Sequence, residues 1–342
     1  MPLMYESVLS EHMYVRVSAA VFDLSYLGRI EMSGPGHVEA LQRHLTRRVE
    51  GSREGRSFYA LMLTSDGTIS ADCMVFVLRN RVLLSVNPLN TDKVLSRLAA
   101  DAPNGVTVRD VTDALLCISV QGRRAPQMLQ RLTDMNLSHL ATGYACECYV
   151  VGGCRSVLAR TGYTGEDGFE VMLPPSGADV LWEALLEVGT HEHLVPAGTG
   201  ARNSLRLEAC FPLYGAEIDE TTDPLEADLE RFVEWDHDFR GREALEERKK
   251  KGPSRKLVAL KIDGRRIARA GYPLFDGGRR VGTVTRGSYS PVMRQPIATA
   301  YVEPDVAGLG RHLVVEVRGH RQLAFVSRKP MYLRKSSLYG GR

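Results

Sequence analysis

The feature that most constrains this chain is a change of pattern at Lys249-Lys250-Lys251-Gly252-Pro253-Ser254. A charged helix, Arg240 to Lys251 with Leu245 as its main apolar residue, ends there, because glycine and proline both stop helices. Upstream, strands alternate with helices. Downstream, from Lys256 onward, come only LVALKI, GYPLF, GRRVGTVTRG, ATAYV, HLVVEV and QLAFVS, short apolar strands broken by glycine turns. That spacing predicts a small β-barrel or sandwich. The tail from Arg334 is basic, rich in small residues and expected to be loose.

The part before the break carries an internal echo. Ile30 to Thr46 reads as strand, glycine turn and a helix ending in Leu-Thr. Leu115 to Val120, then Gln121-Gly122, then a helix through Met128 to Thr133, reads the same way. The repeat suggests two related α+β halves packed together, with chance as the competing reading because strand–glycine–helix is common. Three regions are expected: 1–110, 111–250 and 251–342. With 342 residues the chain is long enough for each to have a core.

Composition excludes several classes. Hydrophobic residues make up 44% and charged residues 25%, the ordinary soluble range. A net charge of +3 is too small to argue for nucleic acid, although a local basic patch would suit an anionic ligand. The six cysteines read as reduced thiols. Cys146-Glu-Cys148 lacks the spacing and the second pair of a zinc site, so no metal is expected. No secretory signal and no apolar run long enough to span a membrane appear, which points to the cytoplasm.

Chemistry concentrates between Arg160 and Asp236. Arg160 to Gly168 is a turn built on Gly162, Gly165 and Gly168, with Tyr163 among them. Glycine lets backbone approach another group closely. A short strand from Phe169 to Leu173 follows and carries Glu170. Ser176 reads as the N-cap of a helix from Ala178 to Val188. A further helix starts near Ala201 and puts Arg202 in its first turn, where the dipole disfavours a cation. Arg202 therefore calls for a partner, and Glu170 is a candidate; a structural salt bridge is the plainer reading. Asp72 enters the apolar strand Cys73-Met74-Val75-Phe76-Val77, where an unpaired carboxylate is costly or shifted in pKa; because strand residues alternate faces, an exposed strand end at which Asp72 caps a turn is the equal alternative. Asn87 and Asn90 flank a strand end, suited to a polar ligand or simply to a turn.

The stretches RTGYTGEDGFE, GARNSLRLEA, LYG and EIDETTDPLEA resemble the T-protein (aminomethyltransferase) family of the glycine cleavage system. The resemblance extends to FDLSYLG, DGTISAD, VNPLN, VGTVTRGSYSP and IATAYV, nearly the whole chain. It implies a T-protein-like α+β fold, with two related ferredoxin-like halves around a central folate channel and a C-terminal small β-barrel. It also implies a tetrahydrofolate-dependent one-carbon transferase, using tetrahydrofolate or a 5-methyl or 5,10-methylene derivative. Asp72 matches the family's catalytic aspartate, although Ala71 stands where a second aspartate is usual. Glu170 and Arg202 match its folate-contacting pair, and Tyr59, Asn87 and Tyr163 match positions near the folate.

These residue types suit the implied chemistry. A carboxylate such as Glu170 accepts two adjacent pterin N–H donors as a fork. A fixed carboxylate at Asp72 would stabilise a cationic, iminium-like carbon or help move the N5 proton. Several positions depart from the family. Tyr26-Leu27 replaces His-Met, Asn203 replaces an aspartate, and Cys210-Phe211-Pro212 replaces a smaller stretch. Met1 stands almost at the first helix, without the upstream Gly-Trp-x-x-Pro segment that helps bind the lipoyl H-protein. That counts against the H-protein as partner. A folate-dependent demethylase or a biosynthetic methyl or hydroxymethyl transferase is the alternative. A non-catalytic folate-binding protein is a reading of another class, disfavoured because no Lys-Gly-Cys-Tyr motif is present.

Overall fold

The structure is a computed structural model describing residues 1–334; the segment after Arg334 that was expected to be loose lies outside them. Helix α1 (Val8–Val17) opens the chain, with the Ser7 hydroxyl accepting from the Ser10 N–H, and strand β1 (Ala19–Asp23) follows. Next come β2 (Gly28–Ser33), α2 (His37–Gln42), β3 (Ser57–Leu63), β4 (Ile69–Leu78), β5 (Arg81–Val86), α3 (Thr91–Ala100) and β6 (Thr107–Asp110). Their strands form one antiparallel sheet in the order β3-β4-β5-β2-β6.

The pattern then repeats. β7 (Leu116–Gln121), α4 (Ala125–Leu129), β8 (Ala145–Val150), β9 (Cys154–Ala159), β10 (Gly168–Leu173), α5 (Pro175–Glu192) and β11 (Leu194–Pro196) build a second sheet. Its order is β11-β1-β7-β10-β9-β8. Matched strand for strand, the two sheets are the same, except that β1 is inserted between β7 and β11. The echo read between Ile30–Thr46 and Leu115–Thr133 is thus the start of each repeat. α5 begins at Pro175, two residues before the glycine that follows the expected Ser176 cap, because the fixed φ of proline suits the first helical position.

The boundary expected between residues 110 and 111 separates strands that the structure joins. β1 pairs antiparallel with β7 and parallel with β11, so the N-terminal segment completes the second sheet. Conversely Ala227, Leu229, Val233, Phe239 and Leu245 pack on Leu61, Leu63 and Ile69 of the first sheet. The two halves exchange segments because each sheet leaves apolar surface that its own sequence does not cover.

Strand alternation defines the layers. One face of the first sheet meets α2 and α3 through Ile30, Met62, Val75, Leu84, Leu41 and Leu98. One face of the second meets α4 and α5 through Val120, Phe169, Val171, Leu129 and Leu185. The opposite faces meet each other, with Phe76 and Leu83 against Phe22, Val157 and Met172. After α6 (Thr199–Glu208) and α7 (Arg242–Lys251) the strands β12 (Lys256–Asp263), β13 (Pro273–Asp276), β14 (Arg279–Ser290), β15 (Gln295–Val302), β16 (His312–Val317) and β17 (His320–Ser327) close a barrel, in the order β12-β15-β14-β13-β16-β17. Among the described residues, no helix is long and apolar enough to cross a membrane.

Candidate active site

The same alternation aims two carboxylates at one space. On β4, Ala71, Cys73 and Val75 belong to the helix-covered core, so Asp72 points to the inner face with Phe76. On β10, Phe169 and Val171 face α4 and α5, so Glu170 points inward with Met172. Where the inner apolar packing stops, the facing sheets leave a cleft of about 360 Å³. Asp72, Tyr59, Asn87, Glu170, Tyr163 and Arg202 all line it. The six residues singled out in the sequence, spread over 144 positions from Tyr59 to Arg202, meet in this one place.

Asp72 Oδ2 accepts a hydrogen bond from the Tyr59 hydroxyl at 3.0 Å. Withdrawal from water pushes the carboxyl up to about 6, against the opposing effect of that hydrogen bond. Tyr59 is in turn held by the Phe232 ring, packed edge-on at 4.9 Å. Burial likewise raises Glu170, offset by the Thr161 hydroxyl bonded to Oε2 and by the charge of Arg202.

The glycine turn sets Glu170 and Tyr163 in position. Arg160 grips Asp167 with two parallel bonds of 3.0 and 2.5 Å. The turn wraps the buried Gln121 amide, which donates to the Thr161 carbonyl at 3.0 Å and accepts from Thr164 Oγ1 at 3.1 Å. A Cβ at Gly162 would stand 2.0 Å from Gln121 Oε1, and one at Gly168 2.5 Å from its Cδ. These glycines are required for close approach, as the sequence suggested.

The Glu170–Arg202 ion pair considered from sequence does not form. Arg202, the fourth residue of α6, lies across the Tyr163 ring at 4.4 Å, a cation–π contact. Its guanidinium has no hydrogen-bond partner among the described residues. Tyr163 also stacks on Phe211 at 5.7 Å and donates to the Pro212 carbonyl. The Asn87 side-chain carbonyl is used by the turn, accepting from the Leu89 N–H at 3.0 Å. Its amide NH₂, with no partner among the described residues, remains for a ligand.

Two buried networks hold this wall. Glu208, at the end of α6, accepts from Arg16 Nη2 at 2.8 Å and from Ser290 Oγ of the barrel at 2.5 Å, and lies 3.1 Å from His12 Nε2. Glu217 accepts from Arg206 Nη1 at 2.8 Å, from the Leu213 N–H at 3.0 Å and from Thr299 Oγ1 at 2.8 Å. Pro212, Leu213 and Tyr214 line the cleft mouth, so the barrel fixes the mouth through Glu217. Sequence reading missed the roles of Thr161, Phe232 and Glu217. Thr161 sits in the glycine turn but bears no mark of its bond to Glu170, and Phe232 and Glu217 act on residues far away in the chain.

Two facing sheets with a closed six-stranded barrel beside them are the fold of the T-protein class of one-carbon transferases. The GCVT N-terminal domain family matches residues 1–237, and the glycine cleavage T-protein C-terminal barrel domain family matches residues 255–332. An aminomethyltransferase of Geobacillus kaustophilus is 39% identical, over 98% of this chain and 93% of that relative. One of Streptomyces avermitilis is 42% identical, over 98% and 92%. The crystal structure of the glycine cleavage system aminomethyltransferase T from Bartonella henselae superposes with a TM-score of 0.90 at 32% identity, covering 98% of this chain and 92% of that one. The chain belongs to the glycine cleavage T-protein family, whose members are folate-dependent transferases of one-carbon units.

Proposed function

We propose that this protein moves an aminomethyl carbon from a carrier-bound or small-molecule donor to N5 of tetrahydrofolate in the cleft between the two sheets. The observation that carries the reading is the convergence of Asp72 and Glu170 from opposite sheets on one cleft. Both are carboxylates raised by burial, the environment in which acid–base and electrostatic roles are found.

The cleft residues fit a reduced folate. Glu170 keeps Oε1 without a partner among the described residues while Thr161 occupies Oε2, so it accepts from the paired N–H groups of a pterin edge. Arg202 and the Asn87 amide are further polar groups left for the ligand. Tyr163 and the side chains at the mouth, Leu27, Leu89 and Leu213, supply apolar surface. When bound, the folate supplies the nucleophilic nitrogen. Asp72 then acts as a fixed negative charge beside the carbon being transferred, where positive charge develops. Such a charge needs no reorganisation at the moment of reaction. Ionised above about pH 6, it is also able to take a proton and return it. Tyr59 keeps its oxygen oriented.

A folate-dependent demethylase is the second reading. Tyr26, Leu27, Asn203 and Pro212, four of the positions at which this chain departs from the family pattern, line the same cleft and would touch the donor. Calorimetric titration of tetrahydrofolate into wild type and Glu170→Ala tests the common core. Binding weakened by about 10–100-fold in the variant is expected from loss of a charged hydrogen-bond fork; wild type that does not bind folate overturns the reading. Assays with an aminomethyl-loaded lipoyl H-protein and with small N-methyl amines then separate the two donors.

A further inference from the structure

Away from the cleft, the segment Glu234–His237 gathers three ligand-type side chains. The candidate ligand atoms of Glu234, Asp236 and His237 lie within 4.8 Å of one another. Acidic residues near a histidine are common on protein surfaces; the state of the His237 ring is not. Its side chain is only 7% exposed. Nε2 lies 3.0 Å from the Leu45 carbonyl oxygen. A carbonyl only accepts, so Nε2 carries a hydrogen, and Nδ1 is the ring nitrogen this contact leaves for another partner. Nδ1 is buried and has no hydrogen-bond partner among the described residues. Its neighbour at 4.0 Å is Asp236 Oδ1.

A backbone carbonyl that fixes one ring nitrogen and frees the other is the usual support of a histidine metal ligand. The remaining contacts leave the other ligand atoms open. Glu234 accepts from Arg47 Nε at 3.2 Å and from the Arg48 N–H at 2.9 Å, and each of its oxygens keeps a second lone pair. Arg48 reaches Asp236 at Oδ2, 3.0 Å, leaving Oδ1 free. The two arginines balance the two carboxylates, so the site has no surplus negative charge with which to draw hard cations such as calcium or magnesium. One imidazole nitrogen with two carboxylate oxygens suits a borderline ion. We propose that Glu234, Asp236 and His237 form a mononuclear site for a divalent cation of the zinc class. Bonds of about 2.0–2.2 Å require the ligands to close by up to about an ångström, and Asp236, 73% exposed, is free to turn inward.

The site has a structural consequence for the cleft. Its segment is tied to the loop after α2: Glu234 N–H donates to the Thr46 carbonyl at 2.8 Å, and Thr46 Oγ1 donates to the Phe232 carbonyl at 2.8 Å. Phe232 packs against Tyr59, which holds Asp72. A bound cation would stiffen that backing from outside. It uses no cysteine, which is why cysteine spacing gave no sign of it.

The test is equilibrium dialysis of untagged, full-length protein against zinc, with cobalt(II) as the spectroscopic probe. One equivalent per chain is expected, with cobalt ligand-field absorption lacking thiolate charge transfer, and a raised Tm that magnesium does not reproduce. His237→Gln and Asp236→Asn should each weaken binding by at least about tenfold. The exposed Asp236 makes the second variant informative even if the first misfolds. Thiolate charge transfer, no stoichiometric binding, or equal affinity in Asp236→Asn would overturn the proposal.

Discussion

Replacing Asp72 by asparagine should make the protein more stable and nearly inactive. Asparagine keeps the shape and still accepts from the Tyr59 hydroxyl, so only the charge is lost. Burial raises the carboxyl from 3.8 to about 6, which means the folded state holds the proton more tightly than the unfolded chain. Stability therefore falls as pH rises through that window, and the penalty is complete above about pH 6. Its ceiling is about 3 kcal/mol, and screening by water in the open cleft lowers it to about 1–3 kcal/mol. For a chain of this length that is a rise in Tm of about 1–4 °C. The assay is thermal unfolding of both proteins from pH 4 to pH 8. The difference should be largest at pH 8, roughly halved at pH 5 and absent near pH 4. Meanwhile kcat should fall by about 10²–10³, the value of one charge aimed at a transition state. A wild type equally or more stable than the variant at pH 8, or a gap that ignores pH, would refute the claim that this carboxylate is held against its solvation.

Tyr59→Phe removes the donor that favours ionised Asp72, so the acidic limb of a pH–rate profile should move upward from about 6; an unchanged limb would detach the tyrosine from the carboxylate. Glu217→Ala strands Arg206, whose side chain is fully buried, and should destabilise by about 3–5 kcal/mol while raising the folate KM, as read by urea unfolding and steady-state kinetics. Gly162→Ala drives a methyl into Gln121 and should lower Tm, with a destabilisation of about 1–3 kcal/mol; circular dichroism melting would reveal it, and wild-type stability would mean that the turn has slack.

The strands were legible because alternation and glycine turns are local. Ile69–Leu78 and Arg81–Val86 stand where their apolar runs begin and end, and the six barrel strands follow the six apolar runs of the C-terminal region. Family resemblance marked the cleft residues, and alternation explains why Asp72 and Glu170 face inward. Sheet membership was not legible. Nothing in Ala19–Asp23 says that β1 joins β7 and β11, since that partnership is fixed by packing between distant segments. The Glu170–Arg202 contact failed for the same reason: the preference of Arg202 for an aromatic face depends on where Tyr163 lies, which only the tertiary fold decides. His237 was passed over because its burial and its carbonyl partner are not properties of the local sequence.

The exchange of segments between the two halves bears on how the protein is made. On a ribosome the first sheet emerges early, yet Leu61, Leu63 and Ile69 wait for Val233, Phe239 and Leu245 to cover them. Until then a growing chain carries a bare apolar face, the kind of surface that chaperones hold and that sticks to neighbouring nascent chains. The cleft, walled by both halves, is complete only when almost all of the two-sheet region has left the tunnel. Any ligand of that cleft would then stabilise only a chain in which both sheets have formed, and a product truncated within the two-sheet region would gain nothing from it.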